Sequence, residues 1–217
     1  MKIQRLRLTF SRGEEVKYIS HLDMMRLWAR AFRRSGLPMA YSEGFSPHPR
    51  IALAAPLPVR VTSGGELLDA FFTRRVSPYY VMQGLAAQLP AGIDLLAVEE
   101  VGLALPSLQS LAKAAEYQVK VASNTSVREM EGAVDRFIAQ DEVPWEHVRD
   151  EQVRRYDLRA LVEEVRLEDW QDGEATLFMK LRNDEAGTGR PEQVTAALGF
   201  MAAPRAIHRI RILVAPP

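Results

Sequence analysis

Cysteine is absent from the sequence. Without thiols the chain can form no disulfide bond, no zinc site built on thiolates and no cysteine-ligated iron–sulfur cluster. The Walker A and dinucleotide-binding glycine patterns are also absent. We therefore expect no bound cofactor and no metal, and chemistry that needs such a cluster has to come from another protein.

Long apolar segments are missing as well. No run approaches the roughly 20 apolar residues of a membrane-spanning helix, and the N-terminal segment 1–5 does not resemble a signal peptide. A cytoplasmic protein with no membrane partner is expected. With 217 residues, of which 47% are hydrophobic, the chain can bury the core of one large or two small domains.

The net charge of zero conceals an uneven distribution. Residues 1–60 contain eleven Lys and Arg against four Asp and Glu, whereas residues 61–217 contain seventeen against twenty-four. The first part therefore has an excess of seven positive charges, and the rest has an equal excess of negative charges. Such asymmetry indicates a basic patch for a polyanion in the first part of the chain.

The hydrophobic pattern predicts one series of elements twice. In the first half it is strand, helix, strand, strand, helix, strand, over residues 4–10, 21–35, 51–61, 66–72, 78–89 and 93–101. In the second half the same order covers residues 116–122, 126–139, 161–170, 174–182, 191–199 and 206–214. This is the order of the split βαβ, or ferredoxin-like, arrangement. We predict an α+β protein of two tandem ferredoxin-like halves with antiparallel sheets, at residues 1–103 and 115–217, joined by a linker at 104–114.

Two segments have a less regular pattern. Pro56 and Pro58 interrupt the predicted strand 51–61, which fits an edge strand or a strand with a bulge. The tripeptide Ser63–Gly65 predicts a turn before the next strand. Residues 143–156 are poorly patterned and can include an additional strand.

The predicted helix 21–35 has two distinct sides. Ser20 and Asp23 give it a start that resembles a capping box. An apolar stripe recurs at three- and four-residue steps, at Leu22, Met25, Trp28, Ala29 and Phe32. A different side presents four arginines, namely Arg26, Arg30, Arg33 and Arg34. Such a face can bind phosphates, or it can be only the solvated side that every surface helix needs.

The loop after this helix is stiffened by two prolines that flank His48. A stiff segment loses little entropy when it binds a ligand. Tyr41 and Phe45 can stack on bases, and His48 and Arg50 can contact phosphates. The alternative is that His48 only satisfies a turn. The predicted RNA-binding residues are Lys17, Arg26, Arg30, Arg33, Arg34, Tyr41, Phe45, His48 and Arg50.

Acid–base chemistry is a second use of the same region. Tyr18, His21 and His48 are near one another in sequence, and Arg50 and Lys17 can stabilise an anionic phosphorane. Cleavage of RNA at a 2′-hydroxyl without a metal needs a general base, a general acid and such a cationic clamp. Any RNA-binding groove recruits these residue types, so these three residues are weak catalytic candidates.

The second half contains one candidate anion site. Gly187 and Gly189 precede Arg190 at the start of a predicted helix, where free backbone N–H groups and a guanidinium can hold a phosphate. Turns of this kind are usually plain connections between a strand and a helix. His147 and His208 are too isolated in the sequence to indicate a metal site.

Several segments together resemble a known bacterial family. They are Lys17–Asp23, Gly36–Pro38, Tyr41–Arg50, Ala54–Pro58, Tyr156–Val162 and Gly189–Val194. They are similar to the radical-SAM-linked, or radical-SAM-associated, family, a domain of unknown function found alone or joined to the C-terminal end of a cobalamin-binding radical SAM protein. The resemblance covers essentially the whole chain. It implies partnership with a radical SAM enzyme and a setting near ribosome and RNA-processing genes.

Because the chain lacks cysteine, it cannot supply the cluster of a radical SAM enzyme. The sequence therefore predicts a non-catalytic accessory protein that binds an RNA, either tRNA or rRNA, and presents it to a radical SAM partner. The architecture is also similar to that of CRISPR repeat-processing endoribonucleases and other RAMP proteins, so a metal-independent endoribonuclease is one alternative. A protein–protein adaptor of the radical SAM enzyme, without RNA contact, is the other.

Overall fold

In a computed structural model, residues 2–123, 125–149 and 152–215 are described. The chain divides into two compact units, Met1–Ala112 with Val214–Pro217, and Lys113–Leu213. Both units mix helices with strands, and every strand pair whose register is known is antiparallel. The fold is therefore a mixed α and β fold dominated by antiparallel sheet.

The first unit is built on one antiparallel sheet. Its elements are β1 (Gln4–Arg12), α1 (His21–Arg34), β2 (Ile51–Leu53), β3 (Val61–Phe72), α2 (Pro78–Ala86), β4 (Leu95–Val101) and the short α3 (Leu108–Leu111). The strands lie in the order β2-β3-β1-β4. Alternation along β1 directs Leu6, Leu8 and Phe10 into the core, as their spacing predicts.

Helix α1 closes this core with its apolar face. Ser20 begins the helix, and its Oγ accepts a hydrogen bond from the Asp23 amide at 3.2 Å. The ring of Trp28 packs edge-on against Phe10, with 4.9 Å between the centroids. The helix ends before Gly36, whose φ of +66° is the left-handed conformation that glycine adopts readily.

The predicted apolar stripe of α1 needs a correction. The buried residues are Met24, Leu27, Trp28, Ala31 and Phe32. Leu22 is 58% exposed, and Met25 and Ala29 are only half-buried. Apolar residues cover a wide arc of this helix, and the sequence does not show which part of the arc meets the sheet. Trp28 and Phe32 belong to both the predicted and the observed face.

The segment between α1 and α2 also differs from the prediction. Strand β2 has three residues, and Ser63–Gly65 lies inside β3 instead of forming a turn. The reversal occurs earlier, next to Arg60, whose φ is +72°. The two prolines end β2 early because proline cannot donate a ladder hydrogen bond. Ser63 and Glu66, on either side of the two glycines, pair with Arg12 and Phe10 of β1, and the register shifts between these two pairs.

The second unit has a comparable sheet and an additional hairpin. Its elements are β5 (Ala112–Ala122), α4 (Val127–Ile138), β6 (Pro144–Arg149), β7 (Gln152–Asp157), β8 (Val162–Gln171), β9 (Glu174–Asp184), β10 (Gly187–Thr188), α5 (Pro191–Ala197) and β11 (Ala206–Val214). Strand β9 pairs with β5, β8 and β10, and β11 lies next to β5. Strands β6 and β7 form a separate two-stranded hairpin where the sequence allowed one additional strand.

Two local features of this unit follow directly from the sequence. Ser126 and Glu129 form a complete capping box at the start of α4, because each side chain accepts a hydrogen bond from the other residue's backbone amide. Asp172 and Gly173 make the β8–β9 turn with positive φ values of 49° and 76°.

Candidate nucleic-acid interface

Three of the eleven cations of residues 1–60 serve the interior of the first unit. Arg5 and Arg7 each place Nε 2.9 Å from a carboxylate oxygen of Asp69, which is fully buried. Arg12 is also buried and donates to the backbone carbonyls of residues 16, 17, 19 and 57. Buried charges need such partners, so these arginines hold the unit together and cannot contact a ligand.

The arginine face of α1 is solvent-exposed along its whole length. Arg26 is paired with Asp23, with 3.0 Å between Nη1 and Oδ1, and Arg34 donates to the Gln88 carbonyl at 2.7 Å. Within the described parts of the chain, Arg30 and Arg33 have no ion-pair or hydrogen-bond partner. The face therefore keeps a positive charge that the protein does not neutralise.

The start of α1 is only partly available. Lys17 Nζ lies 2.5 Å from a Glu14 carboxylate oxygen, and this hydrogen bond raises the pKa of the lysine. Tyr18 and His21 are exposed. A hydrogen bond from the Ser20 hydroxyl, and next the bond from Arg26, lower the pKa of Asp23, so this carboxylate stays ionised. One carboxylate thus lies beside the predicted cation cluster.

The loop from Tyr41 to Arg50 is closed by its own hydrogen bonds. The Ser42 amide donates to the His48 carbonyl at 2.9 Å, and the His48 amide donates to Ser42 Oγ at 3.0 Å. Arg50 Nε donates to the Tyr41 carbonyl at 3.1 Å. Phe45, near the tip, is fully exposed. The loop therefore holds an aromatic ring in solvent on a short, internally bonded frame.

The predicted residues of the first unit line different cavities. Arg30 and Arg34 border a cavity of about 520 Å³ together with residues 87–90. Tyr41 and Arg50 border another, of about 240 Å³, together with Lys2. The predicted RNA-binding residues therefore border at least two separate cavities of the first unit.

The catalytic candidates are distributed in the same way. His21 borders a cavity of about 10 Å³ beside Arg12 and Glu66, and neither Tyr18 nor His48 contributes to that cavity. The backbone amide and carbonyl of His48 are bonded within the loop, and its side chain is exposed.

The second unit contains a larger polar groove that the sequence did not reveal. It has a volume of about 760 Å³, and its basic lining residues are His147, Arg154, Arg155, Arg182 and Arg190. Most of them come from the β6–β7 hairpin and from the end of β9. The signal in the sequence was the Arg154-Arg155-Tyr156 triplet, but its significance depends on a hairpin that the pattern did not define.

The candidate anion site lies at this groove, with a different chemistry from the one predicted. The Gly187 amide donates to Asp184, and the Gly189 amide donates to the Arg182 carbonyl at 2.9 Å. A Cβ atom at Gly187 would lie 2.7 Å from a Leu161 methyl group. The glycines thus permit close packing, and Arg190 is the member of the predicted set that remains available to an anion.

Two absences hold for the residues that the structure describes. Among them, no three His, Asp or Glu side chains are grouped so that they could hold a metal ion. None of their helices is long and apolar enough to cross a membrane.

Comparison with solved structures finds similar folds at low sequence identity. A chain of the crystal structure of a Cbf5-Nop10-Gar1 complex matches 97% of this chain at 10% identity, with a TM-score of 0.53. Chains from the archaeal box H/ACA sRNP Nop10-Cbf5 complex and from an H/ACA RNP bound to a substrate RNA containing 2′-deoxyuridine match at 10% identity, with TM-scores of 0.49 and 0.48. The present chain spans 49%, 48% and 47% of the lengths of those three chains.

Comparison with curated proteins finds no match. The model of one protein family matches residues 5–191, which is most of the chain. The chain therefore belongs to the family described as "Uncharacterized protein conserved in bacteria (DUF2344)".

Proposed function

We propose that this protein is a non-catalytic RNA-binding accessory protein that presents tRNA or rRNA to a radical SAM partner in the cytoplasm. The observation that carries the proposal is the arginine face of α1. Four exposed guanidinium groups lie on one 14-residue helix, and two of them have no ion-pair or hydrogen-bond partner among the described residues. Guanidinium groups bind phosphates with two parallel hydrogen bonds, and a row of them matches the repeating charge of a nucleic-acid backbone.

The Tyr41–Arg50 loop supports RNA as the polyanion. A phenylalanine that is fully exposed gains nothing from the protein's own core, whereas an unpaired base can stack on it. The hydrogen bonds that close the loop lower the entropy cost of binding. An exposed aromatic ring and uncompensated cations in one unit are the features with which proteins bind single-stranded or looped RNA.

The proposal includes two tandem ferredoxin-like halves. The strand order β2-β3-β1-β4 in the first unit, with a helix after the first strand and another after the third, supports this assignment, because the split βαβ arrangement has the same element order. The neighbours β8-β9-β5-β11 in the second unit support the same assignment, with the β6–β7 hairpin as an insertion. On this view each half is one compact platform with loops free for ligands.

The radical SAM partnership rests on the sequence motifs. The segments around residues 17–23 and 41–50, which resemble the radical-SAM-linked family, are also the segments that form the candidate RNA interface. The absence of cysteine means that a cluster must be supplied by the partner. We propose a division of roles, in which this chain holds the RNA and the partner performs the chemistry.

A salt titration tests RNA binding. Fluorescence anisotropy of labelled tRNA or of an rRNA fragment should show an affinity that falls linearly on a log–log plot against salt. The double variant Arg30→Gln with Arg33→Gln removes two phosphate contacts, so the slope should fall by about two and the affinity at low salt by about tenfold. Neither side chain has a structural partner among the described residues, so folding should not change.

The matched control is Arg128→Gln with Arg136→Gln on α4, which also removes two exposed charges from a helix. This control should leave the slope unchanged. Equal losses in both double variants, or no binding at low salt, would contradict the proposal. Incubation of RNA with the protein and a chelator should leave the RNA intact. Cleavage that disappears in His48→Ala would favour the endoribonuclease instead.

A further inference from the structure

The groove of the second unit contains a pair of guanidinium groups on either side of one histidine. Strands β6 and β7 place His147 opposite Arg154, and Cβ atoms of such cross-strand pairs are about 5 Å apart. His147 Nε2 lies 3.3 Å from Arg190 Nη1. The next pair on the same face is Trp145 with Tyr156, whose hydroxyl donates to Gln193 in α5 at 2.7 Å. This face of the hairpin is therefore fixed against the start of α5.

The His147–Arg190 contact leaves the arginine charge uncompensated. A guanidinium group has donors only, so it donates to Nε2 of His147 in this contact, and the histidine brings no negative charge to Arg190. Among the described residues, Arg154 has no acidic partner. Arg154 and Arg190 thus both lie next to His147, and an anion bound between the two guanidinium groups would relieve the repulsion of their charges.

Of the five other charged residues of the groove, four already have partners, and the fifth, Glu185, adds a carboxylate to its lining. Arg155 is paired with Glu146 at 2.6 Å, and Arg182 with Asp184 at 2.9 Å. Asp157 accepts hydrogen bonds from the backbone amides of residues 143, 159 and 160. Asp184 likewise accepts from the amides of residues 186 and 187. The paired arginines serve as internal references for the unpaired ones.

We propose that this groove is a binding site for a phosphate monoester, the terminal phosphate of a nucleotide, held between Arg154 and Arg190. Two guanidinium groups match a phosphate dianion better than a carboxylate, which carries a single charge. The volume of about 760 Å³ is that of small-molecule sites, so a nucleoside and its phosphate fit. The ring of Tyr156 and the side chain of Leu161 provide apolar lining. The site does not depend on the RNA face of the first unit.

The probes are inorganic phosphate, adenosine 5′-monophosphate, and a short RNA with either a 5′-phosphate or a 5′-hydroxyl end. Isothermal titration calorimetry measures the affinity of the full chain for each probe. Arg154→Gln and Arg190→Gln should each weaken binding of the phosphorylated probes by about tenfold, since each removes a charge-assisted hydrogen bond. Arg155→Gln is the matched control, because it changes an arginine of the same groove that Glu146 already neutralises. It should change binding by less than about twofold.

Comparison of the affinities of these probes identifies the source of the phosphate. Binding of the mononucleotide indicates a free nucleotide, and binding of only the 5′-phosphorylated RNA indicates an RNA end; both support the site. The absence of binding of every phosphorylated probe would overturn the proposal, and so would equal affinity for the 5′-hydroxyl and 5′-phosphate RNA. An equal loss in Arg155→Gln would also overturn it. Thermal unfolding of all three variants should match the unchanged protein, since none of these side chains lies in the core.

Discussion

Helices α1 and α4 occupy the same place in the element order of their units. Each follows the first strand, each begins after a serine N-cap, and each buries a comparable apolar face. Their solvent sides have opposite charge. Helix α1 has four arginines and one aspartate, whereas α4 has two arginines against Glu129, Glu131 and Asp135. The fold constrains the residues on the buried side of such a helix but not those on the solvent-exposed side. The charge of the exposed side is therefore where the functional difference between the two helices is expected.

The largest expected effect concerns the side that the two helices share. Trp28→Ala in α1 and Phe137→Ala in α4 should each destabilise the protein by about 3–5 kcal/mol, because each removes a fully buried ring. Urea denaturation measures the free energy of unfolding of both variants. Trp28→Phe is the control and should cost less than about 1.5 kcal/mol, since it keeps a ring and removes an indole N–H that is buried without a partner among the described residues. A small loss for only one alanine variant would show that the two buried faces are not equivalent.

An intermediate effect is expected at the exposed ring of the first unit. If the charge of α1 attracts RNA and Phe45 stacks on a base, Phe45→Ala should weaken RNA binding by about 1–3 kcal/mol. The slope against salt should stay the same because no charge is lost. Anisotropy and urea denaturation together measure both quantities, and stability should not change because the ring is fully exposed.

The control for this variant is Tyr79→Ala, which removes another exposed ring from the first unit. It should leave RNA affinity unchanged. If Phe45→Ala binds RNA as well as the unchanged protein does, RNA binding depends on charge alone, and the loop has another partner.

Local patterns in the sequence account for most of the elements. The capping box at Ser126, the Asp172-Gly173 turn and the strand that begins at Ala206 were all predictable, because caps, turns and alternation depend on neighbouring residues. The glycines of β3 were predicted as a turn because their place in the strand depends on their neighbours Ser63 and Glu66, which pair with residues of β1 more than 50 positions away in sequence.

Charges were the least predictable feature, since their roles depend on residues far apart in the chain. Arg7 lies directly opposite Asp69 in the sheet, so a cation counted as part of a basic patch is internal. The groove of the second unit depends on the contact between His147 and Arg190 in the same way. A charge count therefore identified the basic helix, but it could not separate structural arginines from available ones.

The smallest expected effect lies at the N-terminus of α4, where the two helices differ in their caps. Glu129 accepts from the Ser126 amide at 2.8 Å, whereas the Asp23 side chain of α1 bonds to the Ser20 hydroxyl instead. The backbone hydrogen bond from Ser126 lowers the pKa of Glu129 below its ordinary value of 4.5. A carboxylate with a lowered pKa stabilises the folded state above its unfolded-state pKa, and this contribution disappears as the pH falls through the folded-state value.

Ser126→Ala should therefore cost about 1 kcal/mol, and Glu129→Gln should cost less. The Glu129→Gln difference, measured as the shift of the urea midpoint, should be present at neutral pH and vanish well below pH 4.5. Glu131→Gln, two residues further along α4 and outside the capping box, should show no such dependence on pH. If the shift persists in acid, the glutamate stabilises α4 by packing and not by its charge, and the two helix caps are then equivalent.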